Sequence, residues 1–220
     1  MKRALFLLLF ATSAYAADPF IEHLAQSEIA LRSGDYTKAL KVDEELIQGM
    51  VDHLGPGTEE TKWFAVAVLH KALALAGLGR QDDAIWSWHE AINIYPNIVH
   101  ADMAMFGAPA AFLKAHPLVE EHPEIAHVGG AVKAPVALKR VEPLYPYAVR
   151  VYHVTGIVIM QCIIDKNGDV TDIVVKRRLA AGTLTYAAME AMRKWKFSPG
   201  TIDGQPVDVL FNLTINFKLR

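Results

Sequence analysis

The sequence predicts two folded parts in series: an all-α domain built from a repeated helical pair, then an α+β domain in which a three-stranded antiparallel sheet packs on one main helix. Three observations carry this. A glycine turn recurs 45 residues apart, at Gly34 and Gly79, with Ala-Leu (39–40) and Ala-Ile (84–85) at matching positions. The stretch from Gly156 to Arg177 reads as strand, Asn-Gly turn, strand. The segment "VDVLFNLTINFKL" from Val207 alternates apolar and polar residues, the period of a strand buried on one face.

In chain order, residues 1–16 read as a signal peptide. Lys2 and Arg3 form a positive start, "ALFLLLFATSAYA" is apolar, and Ala14-Tyr15-Ala16 places small residues where a signal peptidase cuts, after Ala16. As a helix at about 1.5 Å per residue this stretch spans roughly 20 Å, short of a hydrocarbon core of about 30 Å. No cysteine follows it, so a lipoprotein is not expected. No other stretch is long and apolar enough to span a membrane, so the mature chain from Ala17 is expected to be soluble and periplasmic. With 52% hydrophobic and 21% charged residues, the composition is that of a globular protein with room for two modest domains. Its formal charge of −2 divides unevenly: residues 17–140 carry 10 basic against 17 acidic side chains, residues 141–220 carry 10 against 7. That asymmetry fits two domains with different surfaces and is too weak for nucleic-acid binding. The single cysteine, Cys162, lies in an apolar strand and reads as a small buried hydrophobe.

Residues 17–116 form the helical part. Phe20, Leu24, Ser27 and Leu31 lead into Gly34; Phe64, Val68, Ala72 and Leu75 lead into Gly79. The helices that follow carry Leu40, Ile47 and Leu54, and Ala84, Ile85, Trp88, Ala91, Ile92 and Tyr95, with Pro96 ending the second. The glycine permits the tight turn and the small alanine lets the helices approach. These residues resemble the tetratricopeptide repeat over roughly Asp18 to Pro96, in its longer form, where "HLGPGTEET" joins the copies. Gln81 departs from the pattern, standing where Tyr36 supplies an aromatic in the first copy. The resemblance implies a groove that holds a peptide or partner protein, and a plain helical spacer remains the alternative. Asn97 to His116, broken by Gly107 and Pro109, is expected to cap the open end. Residues 117–140, rich in Pro and Gly, read as a linker.

The 141–220 part continues with helical spacing in "TLTYAAMEAMRKWKF", where Leu184, Ala188, Ala191 and Trp195 share a face and Pro199 closes the helix. In the last strand Val207, Val209, Phe211, Leu213, Ile215, Phe217 and Leu219 face one way, and Asp208, Asn212, Thr214, Asn216 and Lys218 the other. Gly168 reads as a turn residue alone. The order Tyr145-Pro146, Ala148, Gly156, Asp165 with Gly168, then Arg193, Trp195, Phe197, Pro199, Gly204, Pro206-Val207 and Phe217 resembles the C-terminal domain of TonB-type energy transducers. The resemblance implies that the Tyr-Pro segment lies near a bound partner. It also implies that the last strand offers its free edge to an extended segment of an outer-membrane receptor or other envelope protein. The implied contact residues are Tyr145, Pro146, Val209, Leu210, Phe211, Asn212, Leu213, Thr214, Ile215, Asn216 and Phe217. Pro146 fixes its own φ and holds Tyr145 extended, so a domain-opening corner is the other reading of this pair. Pairing with a second copy, a homodimer, is left open, as is a ligand for the helical repeats.

No Gly-rich phosphate loop, nucleophile elbow or acid–base pair is present, so neither catalysis nor a cofactor is expected. His116, His122 and His127 stand 6 and 5 residues apart, which does not match a helical metal pair. Asn212-Leu213-Thr214 fits a glycosylation pattern by chance, inside a strand. Two functions remain: a TonB-like adapter that binds by strand addition, and an envelope scaffold that works through its helical repeats. N-terminal sequencing of the exported protein is expected to begin at Ala17, from the soluble periplasmic fraction. Recovery of intact chain with Met1 in inner membranes would contradict it.

Overall fold

Gly34 and Gly79 make the same turn, 45 residues apart. Both have positive φ, +77° and +74°. After each, the next residue's N–H reaches back to the preceding helix: Asp35 to the Ala30 carbonyl at 2.9 Å and Arg80 to Leu75 at 3.0 Å. This left-handed turn satisfies carbonyls that a helix end leaves open and starts the next helix at a fixed angle. In the computed structural model, which describes residues 19–219, contacts divide the chain into two units. One holds the residues up to Leu54 with Thr58–Pro117; the other holds Gly55–Gly57 and the residues from Leu118 onward. The segment expected to be a signal peptide, 1–16, lies outside the described residues. Among the described residues no helix is long and apolar enough to cross a membrane.

The first unit is all-helical: α1 (Pro19–Ser33), α2 (Tyr36–His53), α3 (Thr58–Gly77), α4 (Gln81–Ile94) and α5 (Gly107–Lys114). Pro19 opens α1, where its missing N–H costs nothing. Asp35 caps α2 by accepting from the Lys38 N–H at 3.1 Å. In the second copy Arg80 takes the same backbone position without a side-chain cap and instead pairs with Asp83 at 2.8 Å. Helix α3 is the centre, packed against α1, α2, α4 and α5. It is therefore buried almost continuously from Phe64 to Leu75, not along one stripe. The α2 stripe is Ala39, Asp43, Leu46, Ile47 and Met50, one step round from the expected line, and Leu40 is half-buried. Two short turns, Pro96–His100 and Ala104–Phe106, bring Ile98, Met103 and Phe106 into this core, and Leu113 of α5 completes it. Gly77 admits no side chain, because a Cβ there would overlap the Tyr36 ring.

The second unit begins with three short strands in residues 117–140: β1 (Ala126–His127), β2 (Val132–Lys133) and β3 (Val136–Lys139). Then come α6 (Tyr147–Val151), β4 (Gly156–Ile164), β5 (Val170–Arg177), α7 (Gly182–Met192), β6 (Lys196–Ser198), β7 (Gly200–Ile202), β8 (Gln205–Val207) and β9 (Val209–Phe217). The expected three-stranded antiparallel sheet is present as β9-β4-β5, and β1 adds a fourth, parallel strand outside β9. Strands β2, β7 and β8 form a small second sheet, and β3 pairs with β6. In the β7–β8 hairpin Asp203 and Gly204 both have positive φ, the geometry that matches strand twist.

Helix α7 covers β4 and β5. Leu184, Ala188, Ala191 and Trp195 are all buried, as their spacing predicts, and so are Val158, Met160, Cys162 and Ile164 on alternate positions of β4. The helix ends at Met192, earlier than Pro199, because Lys196–Ser198 extend to pair with β3. The Trp195 indole N–H donates to the Val141 carbonyl at 2.8 Å, so this core side chain also holds the start of the domain. Gly168 does more than turn. Its carbonyl accepts from the Phe197 N–H at 2.9 Å, and a Cβ would collide with the Phe197 carbonyl.

The helical core also encloses ionisable groups. Asp43 is fully buried, and burial pushes its carboxyl well above the usual carboxylate range, with Glu44 adding to this and Ser27 and Lys71 opposing it. His70 is also buried, which lowers its pKa to about 4, and its ring packs edge-on against Phe106 at 6.1 Å. The signs are opposite. A raised carboxyl gives stability that is complete below its unfolded pKa of about 3.9 and lost as pH rises through the folded value. A depressed imidazole gives stability that is complete above about pH 6.5 and lost as pH falls toward the folded value. In thermal unfolding followed across pH, Asp43→Asn is expected to remove a decline toward high pH, and His70→Gln a decline toward low pH.

Candidate functional site

Every residue of β9 has a partner in β4, from Val209 opposite Ile164 to Phe217 opposite Gly156. In an antiparallel pair, alternate residues turn both backbone groups toward the partner strand and the intervening residues turn theirs away. The outward set on β9 meets β1 only at Val209 and Leu210. Among the described residues, Phe211–Phe217 has no strand on that side. The free edge is thus shorter than the sequence-based expectation: its first two residues are already paired.

The side chains of β9 anchor it. Val209, Ile215 and Phe217 are buried, Phe211 and Leu213 are half-buried, and Asn212, Thr214 and Asn216 are exposed on the other face. The Phe211 ring packs edge-on against Phe197 at 6.0 Å, and its carbonyl lies 3.6 Å from the Cys162 sulfur. Burial raises the Cys162 thiol to about 12, so it is an inert core group. Leu219, assigned to the inward face from its alternation, is exposed, because pairing with β4 stops at Phe217.

Tyr145 meets the far end of this edge. Its ring stacks edge-on against Phe217 at 5.5 Å, and its hydroxyl donates to the Val154 carbonyl. Burial raises its phenol above the ordinary value, with Arg150 opposing, so it stays a donor throughout the neutral range. Pro146 is buried and caps α6 at φ −58°, its carbonyl accepting from the Arg150 N–H at 3.1 Å. The pair therefore builds the corner that clamps the end of β9, and Pro146 presents no surface of its own. Sequence reasoning passed over what this corner displays: Leu144, Tyr147, Val151 and Tyr152 are all exposed. Exposed apolar side chains beside a Tyr-Pro corner break the usual amphipathic pattern, a signal legible at sequence level only once a helix at 147–151 is assumed.

The histidines do not converge. His116 bonds the Phe112 carbonyl at 2.8 Å, and His122 pairs with Glu124 at 3.4 Å. No group of three or more His, Cys, Asp or Glu side chains among the described residues is placed to hold a metal.

Residues 141–219 match the family model described as Gram-negative bacterial TonB protein C-terminal. These residues form a TonB C-terminal domain. The domain is 39% identical over 78 residues to Protein TonB of Xanthomonas campestris pv. campestris (strain B100), covering 36% of this chain and 35% of the relative. It is 35% identical over 85 residues to Protein TonB of Vibrio cholerae serotype O1 (strain ATCC 39315 / El Tor Inaba N16961), covering 37% and 33%. The chain thus spans about a third of the length of the curated relatives it matches. The solution NMR structure of Pseudomonas aeruginosa TonB CTD is similar at 21% identity and a TM-score of 0.34, over 44% of this chain and 95% of that one.

The clamp in this TonB C-terminal domain separates two contributions of Tyr145. Tyr145→Phe removes only the bond to Val154 and should cost about 1 kcal/mol. Tyr145→Ala also removes the ring on Phe217 and should cost roughly 3 kcal/mol or more. Denaturant unfolding of the two variants checks the order; equal losses would show that the ring contact contributes nothing.

Proposed function

We propose that this chain is a non-enzymatic envelope protein that acts in TonB-dependent transport, where its TonB C-terminal domain binds an extended segment of an outer-membrane receptor or other envelope protein by strand addition. The observation that carries this is the outward backbone edge of Phe211–Phe217, unpaired among the described residues while the inward edge is fully paired. Unpaired N–H and C=O groups on a sheet edge form a template for an extended chain, and side-chain pockets beside it add selectivity. Tyr145 and Phe217 fix the far end of the edge, so its geometry is set before a partner arrives.

A second reading assigns partner binding to the helical unit as a scaffold. It is favoured by a cavity of about 70 Å3 between α1, α2 and the start of α3, lined by Phe20, Leu24, Met50, Leu54 and Trp63 with Glu59 and Glu60. That volume suits one apolar side chain of a partner.

Backbone pairing makes a distinctive prediction. Asn212→Ala and Thr214→Ala should leave affinity within about threefold, because the backbone groups survive. Proline at 212 or 213, whichever directs its N–H outward, should abolish binding in a domain that stays folded, since an edge strand tolerates proline. Titration of the full chain with synthetic peptides from the host's outer-membrane receptors, followed by NMR, decides it. Unchanged affinity in both proline variants would remove strand addition and leave the helical unit as the binding surface.

A further inference from the structure

Among the described residues, β9 is partnered on its outer side only where the chain supplies its own strand. Ala126 and His127 pair in parallel with Val209 and Leu210. The chain then leaves the edge, because Gly129 and Gly130 take φ of +129° and +57° and close a tight turn onto Val132. Upstream, the same segment is held at the opposite edge of the sheet. The Lys176 ammonium donates to the Glu120 carbonyl at 3.5 Å. Lys176 belongs to β5, which lies at the far edge of the sheet order β1-β9-β4-β5, and precedes Arg177, which stands opposite Ile159, whereas Val209 stands opposite Ile164. Residues 120–127 therefore run as a strap from the β5 edge of the sheet to the β9 edge.

The strap is lightly held. Leu118 and Ile125 are half-buried, and the His122 side chain is only 10% exposed, with its Nε2 meeting no partner. Val119, Glu121, Pro123 and Val128 are exposed. A long hydrogen bond from Lys176, the charge of Arg178 near Glu120 and two residues of parallel pairing make a contact that a longer strand can replace, since each exposed hydrogen bond or ion pair contributes little.

We propose that β1 is a resident strand that competes in cis with a partner strand for the β9 edge. With the strap in place the edge offers Phe211–Phe217; with it lifted, a partner pairs along all of Val209–Phe217. What already sits there indicates the occupant: an extended segment that runs parallel to β9 and resembles Glu124-Ile125-Ala126-His127, an acidic residue followed by aliphatic and small ones. The trans partner rests on the strand-addition reading, whereas the cis competition does not.

The experiment titrates the full chain with a synthetic peptide copying residues 122–128 and reads amide shifts along β9. Ala126→Pro and His127→Pro each remove a backbone donor from β1. At least one of them should bind the peptide about tenfold more tightly than the wild type, because apparent affinity scales with the fraction of open edge. The shifts should then reach Val209 and Leu210. In His127→Cys/Leu210→Cys, oxidised to tie the strap to β9, the peptide should bind more weakly than to the wild type, and reduction should restore it. Equal affinity for the wild type, the folded proline variants and the tethered variant overturns the proposal. If the proline variants fail to fold, unchanged affinity on tethering overturns it alone. Failure of receptor peptides to bind would remove the transport reading and leave this result standing.

Discussion

The unbroken pairing of β4 with β9 is the constraint on which the second unit depends. Because the register runs from Gly156–Phe217 to Ile164–Val209 without a slip, Val209, Ile215 and Phe217 share a face with Val158, Met160 and Ile164. That face is the one α7 can cover, with Leu184, Ala188 and Trp195 all buried. A slip of one residue would turn these apolar side chains to solvent. The β4–β5 pairing, by contrast, carries two irregularities, between Ile159 and Met160 and between Gln161 and Ile163. The regular side of the sheet thus leads to the open edge, and the irregular side lies away from it. The same register brings Phe217 under Tyr145, which joins the corner to the end of the strand.

The helical unit follows a different logic. Its two hairpins are set by a left-handed glycine and a backward hydrogen bond, repeated with nearly the same geometry at Gly34 and Gly79. Between them α3 is buried on nearly all sides, and the unit accepts Asp43 and His70 in its interior. A carboxyl and an imidazole enclosed in one helical core bias its stability in opposite directions with pH, so between about pH 4 and 6.5 the two dependences oppose each other. In the other unit, the residues from Leu118 to Arg140 add strands at three places, to β9, β7 and β6. They make the domain larger than the segment that matches the TonB C-terminal family.

Much of this was legible in residue order. Turn chemistry at Asn167-Gly168, the strand spans on either side and the apolar face of α7 all emerge from local patterns, because a strand or helix with one buried face must repeat its apolar residues at a fixed period. So does the repeated hairpin, whose glycines are required by positive φ. The sequence by itself therefore determined the two-part architecture, and the three long strands and their order of hairpin and helix.

Tertiary structure decided how much of the β9 edge is open. A two-residue strand such as β1 has no periodicity to detect, and its partner lies more than eighty residues away, so only the fold shows that Ala126 and His127 cover Val209 and Leu210. The same holds for β6, which ended α7 early because Lys196–Ser198 found β3, and for Gly168, whose close approach to Phe197 is invisible in a turn motif. Buried Asp43 and His70 escaped notice for a related reason: polarity alone assigns them to the surface, and only packing around α3 encloses them. Local order selects which elements form, because each turn and period is satisfied by near neighbours. Which backbone groups stay unpaired depends on every other segment competing for them, and that is a property of the whole folded unit.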